Sequence, residues 1–305
     1  ANVTDTTQSY AGWQMLAGDL NNDGMNDMLG YLVSGTSLQF QAWLSAGGGA
    51  MNKAAAHAAV NLGSSAVGAS VLLGDINGDG NVDLVLAGCN NNTLTVTSLN
   101  GVGDGSFGAA STPKQYSGYS CATAGAYRLV DLNADGQSDL IWVNTTSTQV
   151  NVYALLNNGA NGFAVPTSLV SSATPPSGFT PANIQQPFYS TDINGDGLPD
   201  VVLLYVNGNT LAVQYFAGQL NGTLSTAVNL FNYTGTPGNV SYTYAANYSL
   251  QLADLNGDGN PDLIAMGTGA SGASADVWMN QGAGQFAAVT KNVISAASLN
   301  TTSWT

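Results

Sequence analysis

The chain has 305 residues, 44% of them hydrophobic and only 7% charged, with a formal net charge of −14 and a pI of about 4.1. Its four cations, Lys53, Lys114, Arg128 and Lys291, are too few for a surface that tracks nucleic-acid phosphates or binds an anionic membrane. No apolar run approaches the roughly 20 residues that would span a bilayer, so no membrane insertion is expected.

In chain order, residues 1–9 are polar and either close the fold or fray. Gln14–Leu20 and Met28–Val33 read as two strands around an Asp/Asn loop, and Leu38–Ala42 alternates as a third. Ala46–Ala59, rich in Ala and Gly, is the least strand-like stretch and suits a short helical turn. The plan then repeats. Leu94–Thr97, Gln149–Ala154, Leu211–Tyr215 and Asp276–Met279 are the successive third strands, each preceded by a loop and an apolar run such as Leu84–Ala87 or Val201–Leu204. Two long connectors interrupt the pattern, the proline-stiffened Ser171–Pro187 and Tyr233–Tyr248.

Five loops punctuate the chain, beginning at Asp19, Asp75, Asp131, Asp192 and Asp254, at spacings of 56, 56, 61 and 62 residues. Such a period holds four short strands and a nine-residue loop, somewhat more than a WD40 or kelch repeat. It divides the chain into approximate blades 10–68, 69–125, 126–187, 188–247 and 248–305 of one domain, 1–305. Only 70 residues lie around the closure from Asp254 to Asp19, too few for a sixth blade in addition. The expected fold is all-β: a β-propeller of four-stranded antiparallel blades, a closed ring of five being preferred over part of a larger, for example seven-bladed, propeller.

Each loop places side-chain oxygens at positions 1, 3, 5 and 9. These are Asp19, Asn21, Asp23 and Asp27; Asp75, Asn77, Asp79 and Asp83; Asp131, Asn133, Asp135 and Asp139; Asp192, Asn194, Asp196 and Asp200; and Asp254, Asn256, Asp258 and Asp262. Position 6 is Gly, which permits a sharp turn, and position 7 offers a backbone carbonyl, from Met25, Asn81, Gln137, Leu198 and Asn260. All eighteen acids are Asp, and only Asp5, Asp104 and Asp276 lie outside the loops. Oxygen-only donors at alternate positions of a tight loop suit a hard cation such as Ca²⁺. Asx turns alone would need no Asp at position 9 every time. An EF-hand is excluded, because its position-12 Glu has no counterpart in a chain without Glu. Five Ca²⁺, one per loop, are the expected cofactors. The third loop, with Ala134 and Gln137-Ser138, departs most from the pattern.

The loop followed by an apolar strand resembles the FG-GAP (VCBS) repeat of integrin alpha-subunit propellers and many secreted bacterial proteins. The second half of that repeat has counterparts in Gly105–Ala109, Asn161–Pro166 and Gly284–Ala287. The resemblance implies a calcium-binding propeller with its metal hairpins on one face and its connectors on the other. The connectors carry Tyr116, Tyr119, Phe179, Tyr233, Tyr242, Tyr244 and Tyr248, whose rings suit a sugar or a protein partner.

The function expected from sequence is a calcium-stabilised binding or adhesion module for a protein or glycan ligand, either a monomer or part of a larger chain. A lectin-like carbohydrate binder and a non-catalytic spacer within a larger secreted enzyme or toxin are the alternatives. No catalytic residues are expected, because the single histidine, His57, has no acid partner nearby and the three Asp outside the loops are scattered. Millimolar calcium suits a secreted or cell-surface, bacterial location. Cys89 and Cys121 form either one disulfide or two small buried thiols.

Overall fold

The apolar runs flanking each loop pair as antiparallel strands. The computed structural model describes residues 10–54, 59–62, 69–117, 127–157, 159, 163, 171–185, 188–238, 243–269, 272–282 and 284–291. Five sheets follow one another along the chain. The first orders β1 (Gln14–Gly18), β2 (Asp27–Ser34), β3 (Ser37–Ser45) and β4 (Met51–Lys53), with β5 (Val60–Asn61) also on β3. The second orders β6 (Ser70–Gly74), β7 (Asp83–Asn90), β8 (Thr93–Gly101) and β10 (Lys114–Ser117), with β9 (Phe107–Ala110) also on β8. The third runs β11 (Tyr127–Val130), β12 (Asp139–Thr145), β13 (Val150–Leu155) and β14 (Ser171–Ala173). The fourth runs β15 (Tyr189–Thr191), β16 (Asp200–Asn207), β17 (Thr210–Phe216) and β18 (Val228–Thr234). The fifth has β19 (Tyr248–Ala253), β20 (Asp262–Gly269) and β21 (Gly272–Trp278), extended by bridges from Val277 to Thr290 and Asn280 to Phe286.

The five-stranded sheets are four-stranded ones whose outer strand is broken. β4 faces Trp43–Ser45 while β5 faces Ser37 and Leu38, along the same edge of β3. On β8, β9 pairs with Leu99 and Gly101, and β10 with Thr93–Val96. The break there falls at Ser111–Pro113, where Pro113 has no N–H for the ladder. This is the architecture of a five-bladed β-propeller.

Three segments depart from the sequence expectation. Ala46–Ala59 contributes the strand β4 where a helical turn was expected, because Met51–Lys53 completes the ladder on β3. The proline-rich connector opens with β14 and contains a 3₁₀ turn at Pro181–Asn183, which Pro181 starts with its preset φ. Within Tyr233–Tyr248, Tyr233 belongs to β18, Tyr244 opens a one-turn helix α1 (Tyr244–Asn247), and Tyr248 begins β19. The Thr243 side chain caps that turn by accepting from Ala246 N.

Two core clusters lie between successive sheets. One joins Leu29, Leu38 and Phe40 of the first sheet to Leu84, Leu86, Leu99 and Phe107 of the second. The other joins Val202, Leu204, Val213 and Tyr215 of the fourth to Leu250, Leu263 and Trp278 of the fifth. Full burial of each such side chain stabilises by about 1.5–3 kcal/mol. The position-2 residues Leu20, Ile76, Leu132 and Ile193 are also buried, while Leu255 is half exposed. The chain divides into two compact units: 1–131 with 135–142 and 154–166, and 132–134 with 143–153 and 167–305. Cys89, near the end of β7, is disulfide-bonded. Its only possible partner in the chain, Cys121, lies outside the described residues, as do His57 and Asp5.

Candidate metal loops

The five loops share one backbone conformation. Position 4 is left-handed in all of them, at Asn22, Gly78, Ala134, Gly195 and Gly257, with φ between 58° and 80°. Position 6 is also left-handed, at Gly24, Gly80, Gly136, Gly197 and Gly259, with φ between 83° and 87°. Gly and Asn tolerate this region, whereas Ala134 carries its Cβ into it at a cost of about 1 kcal/mol. The third loop keeps the shared conformation, with Ala134 where the other loops have Gly or Asn.

The turn aims polar groups at the position-1 carboxylate. Its Oδ2 accepts the position-6 amide in every loop, at 2.9 Å on Asp19 and Asp75, 2.8 Å on Asp131, 2.7 Å on Asp192 and 2.9 Å on Asp254. The Asn at position 3 bridges to position 5. Asn77 Oδ1 accepts Asp79 N at 2.8 Å while its Nδ2 donates to Asp79 Oδ2 at 2.9 Å, and Asn21, Asn194 and Asn256 repeat both contacts. The position-5 carboxylate then accepts the position-7 amide, as from Leu198 to Asp196 at 2.9 Å. Asp23, Asp79, Asp135, Asp196 and Asp258 are all exposed.

Position 9 differs. Asp27, Asp83, Asp139, Asp200 and Asp262 each open the second strand of their sheet and are 0–2% exposed. Their Oδ1 accepts the amide eighteen residues downstream, from Ser45, Gly101, Asn157, Gly218 and Asn280, at 2.7–2.9 Å. In the first, second, fourth and fifth loops Oδ2 accepts the position-2 amide, from Leu20, Ile76, Ile193 and Leu255. The position-9 carboxylate therefore ties the loop to the end of the third strand of its own sheet or the residues just beyond it. Sequence reading missed this latch, because the donor is a backbone amide and the residues that supply it, Ser45, Gly101, Asn157, Gly218 and Asn280, share no single side-chain type.

Burial pushes the Asp200 carboxyl up to about 6, against the two amides that favour its charged form, and Asp196 and Asp192 add repulsion. Asp83 is raised for the same reasons, with Asp79 and Asp75 as its neighbours. Asp258, out in solvent, is lowered by the Asn260 amide and the Asn256 side chain.

Among the described residues, no three carboxylate, His or Cys side chains stand together as a finished metal cage. The donor chemistry nevertheless fits a hard cation. Every candidate ligand is an oxygen, and a carboxylate oxygen that accepts one amide keeps a second lone pair.

The aromatic residues expected to face a ligand are largely taken up in packing. Tyr116, Phe179 and Tyr244 are buried. The Tyr116 hydroxyl donates to Phe163 O at 2.9 Å, Phe179 packs on Tyr205, and the Tyr244 hydroxyl donates to the buried Asp276 carboxylate at 2.6 Å. Burial beside that carboxylate raises the Tyr244 pKa. These three rings cover sheet ends and are corrected from ligand candidates to core. Tyr233 and Tyr248 are half-buried, the latter sharing a 2.7 Å hydrogen bond with Ser274. Tyr119 and Tyr242 lie outside the described residues.

Residues 19–86 and 192–265 match the family pattern of the FG-GAP-like repeat. No curated protein matches the chain. Among solved structures, the chain is similar to part of the Photorhabdus luminescens Tc holotoxin pore, with 22% identity and a TM-score of 0.51, covering 92% of this chain and 12% of that one. It also aligns with the Bacillus licheniformis rhamnogalacturonan lyase PL11 (13% identity, TM-score 0.38, 86% and 59% covered). An exotype rhamnogalacturonan lyase gives 12% identity, a TM-score of 0.38, and 87% and 64% covered. The chain spans less than two thirds of each of these proteins, and at such identities the likeness to the holotoxin speaks for the fold alone.

Proposed function

We propose that this chain is a calcium-stapled, non-catalytic binding module of a secreted or cell-surface bacterial protein. The carrying observation is that five loops of one geometry each bring Asp and Asn oxygens to a turn whose position-9 carboxylate is buried. The Asp side chains at positions 1, 5 and 9, the Asn oxygen at position 3 and the position-7 carbonyl would hold one Ca²⁺ per loop. The bound ion supplies charge neutralisation and cross-linking, not reaction chemistry. The chain's own residues do the rest: the left-handed glycines shape the turn, and the position-9 carboxylate transmits its order to the end of the third strand or the residues just beyond it.

On this reading the surface around the connectors between sheets is where a protein or a glycan is recognised, with the half-buried Tyr233 of β18 and Tyr248 at the start of β19 as the aromatic contacts beside it. A second reading, a structural spacer within a larger secreted enzyme or toxin, is favoured by the small share of the holotoxin chain that this fold accounts for. Thermal melts with and without chelator test the staple. A glycan array probed in calcium separates the readings: repeated sugar hits support a lectin, and their absence leaves a protein partner or a spacer.

A further inference from the structure

The loops are not isolated from one another. Asn22, at position 4 of the first loop, donates through Nδ2 to Oδ1 of Asn81, at position 7 of the second, at 2.7 Å. Ser138 N, at position 8 of the third loop, donates to the carbonyl of Asp75, the first residue of the second loop, at 2.6 Å. Asn157 Nδ2 donates to the carbonyl of Ile76 in that same second loop, and also to Ser138 O at 3.2 Å. Gln137, at position 7 of the third loop, lies against position 4 of the second: a Cβ on Gly78 would stand 3.3 Å from its Cγ. The pattern recurs between the fourth and fifth loops. Asn280 Nδ2 donates to Ile193 O at 3.0 Å, and a Cβ on Gly195 would stand 3.4 Å from Asn260 Oδ1.

Side-chain amides at two positions take part in most of these links, the loop's position 7 and the residue eighteen after position 9. Asn81, Gln137 and Asn260 occupy the first, and Asn157 and Asn280 the second. The first repeat has Met25 and Ser45 there, and the fourth has Leu198 and Gly218. None of those four side chains carries an amide.

We infer that neighbouring cation loops bind calcium cooperatively, the first with the second, the second with the third and the fourth with the fifth, with Asn157 and Asn280 as the positioning residues that transmit occupancy across the last two of these links. The inference rests on the proposed calcium function. A loop whose carboxylates repel one another is splayed without its ion. Ordering one loop fixes the carbonyls of positions 1 and 2 that its neighbour's amides grip, so the neighbour pays less to order itself.

The test reads each loop separately. The amides of Gly24, Gly80, Gly136, Gly197 and Gly259 all donate to a candidate ligand carboxylate, so their NMR shifts report occupancy loop by loop during a calcium titration of the full chain. In Asp196→Ala, which disables the fourth loop, the Gly259 midpoint should move to higher calcium by about threefold or more. In Asn280→Gly, which installs the residue found naturally at the equivalent Gly218, adding Asp196→Ala should move it no further. Asn280→Gly alone keeps every calcium ligand and should make the Gly197 and Gly259 titrations independent, so the test survives if Asp196→Ala fails to fold. A Gly259 midpoint unchanged by Asp196→Ala, or Gly197 and Gly259 titrations that are already independent in the unaltered chain, overturns the coupling while leaving calcium binding intact. If none of the five amides responds to calcium, the underlying function falls with it.

Discussion

The loops and the connectors are built on opposite principles. A loop is specified by its own nine residues: left-handed turns at positions 4 and 6, an Asn bridge from 3 to 5, and a carboxylate at 1 gathering amides. All five copies therefore look alike. A connector takes its form from whatever sheet it covers. Phe179 settles on Tyr205, Tyr116 reaches Phe163, and Tyr244 finds Asp276 thirty-two residues away. Local polar patterning makes the loops repeat, and distant packing makes each connector different.

The largest expected effect isolates the loops. With calcium near 1 mM and site dissociation constants of about 0.1 mM, each occupied loop contributes about 1.4 kcal/mol and five contribute about 7 kcal/mol. Chelation should lower the melting temperature by about 10 °C or more, and restored calcium should reverse it. Coincident melting curves would reduce the loops to plain turns.

The next effect separates the latch from the staple. Asp200→Ala leaves the amides of Ile193 and Gly218 without their acceptor in a buried place, costing about 4 kcal/mol. Denaturant unfolding should show most of that loss even in chelator, because the carboxylate holds a strand as well as an ion. A loss seen only in calcium would make position 9 a ligand and nothing more.

Tyr244→Phe probes a connector in the same way. It removes the Tyr244 hydroxyl donor from the buried Asp276 carboxylate and should cost about 2 kcal/mol with calcium affinity unchanged. A shift in calcium affinity would join the two regions that the comparison keeps apart. The smallest effect runs in the stabilising direction. Ala134→Gly relieves the left-handed alanine of the third loop and should raise stability by about 1 kcal/mol, measured with and without calcium.

The same contrast explains what the sequence discloses. The hairpins around each loop and the third strands were legible because their information is periodic and local. Strand β4 was not, because Met51–Lys53 carries no strand pattern of its own and forms only against Trp43–Ser45. The ligand-facing role expected of Tyr116 and Tyr244 was a reading of connector composition, which does not say which ring turns inward. Burial of Asp276, on β21, beside Tyr244, in α1, joins residues far apart in the chain, and no spacing announces it. The links through Asn157 and Asn280 became visible only once neighbouring sheets were side by side.

The central claim is that the five loops are cation sites, and direct stoichiometry tests it most simply. The full chain, stripped with chelator and dialysed against about 1 mM calcium, should retain five Ca²⁺ per molecule by elemental analysis. Fewer than three would contradict the account.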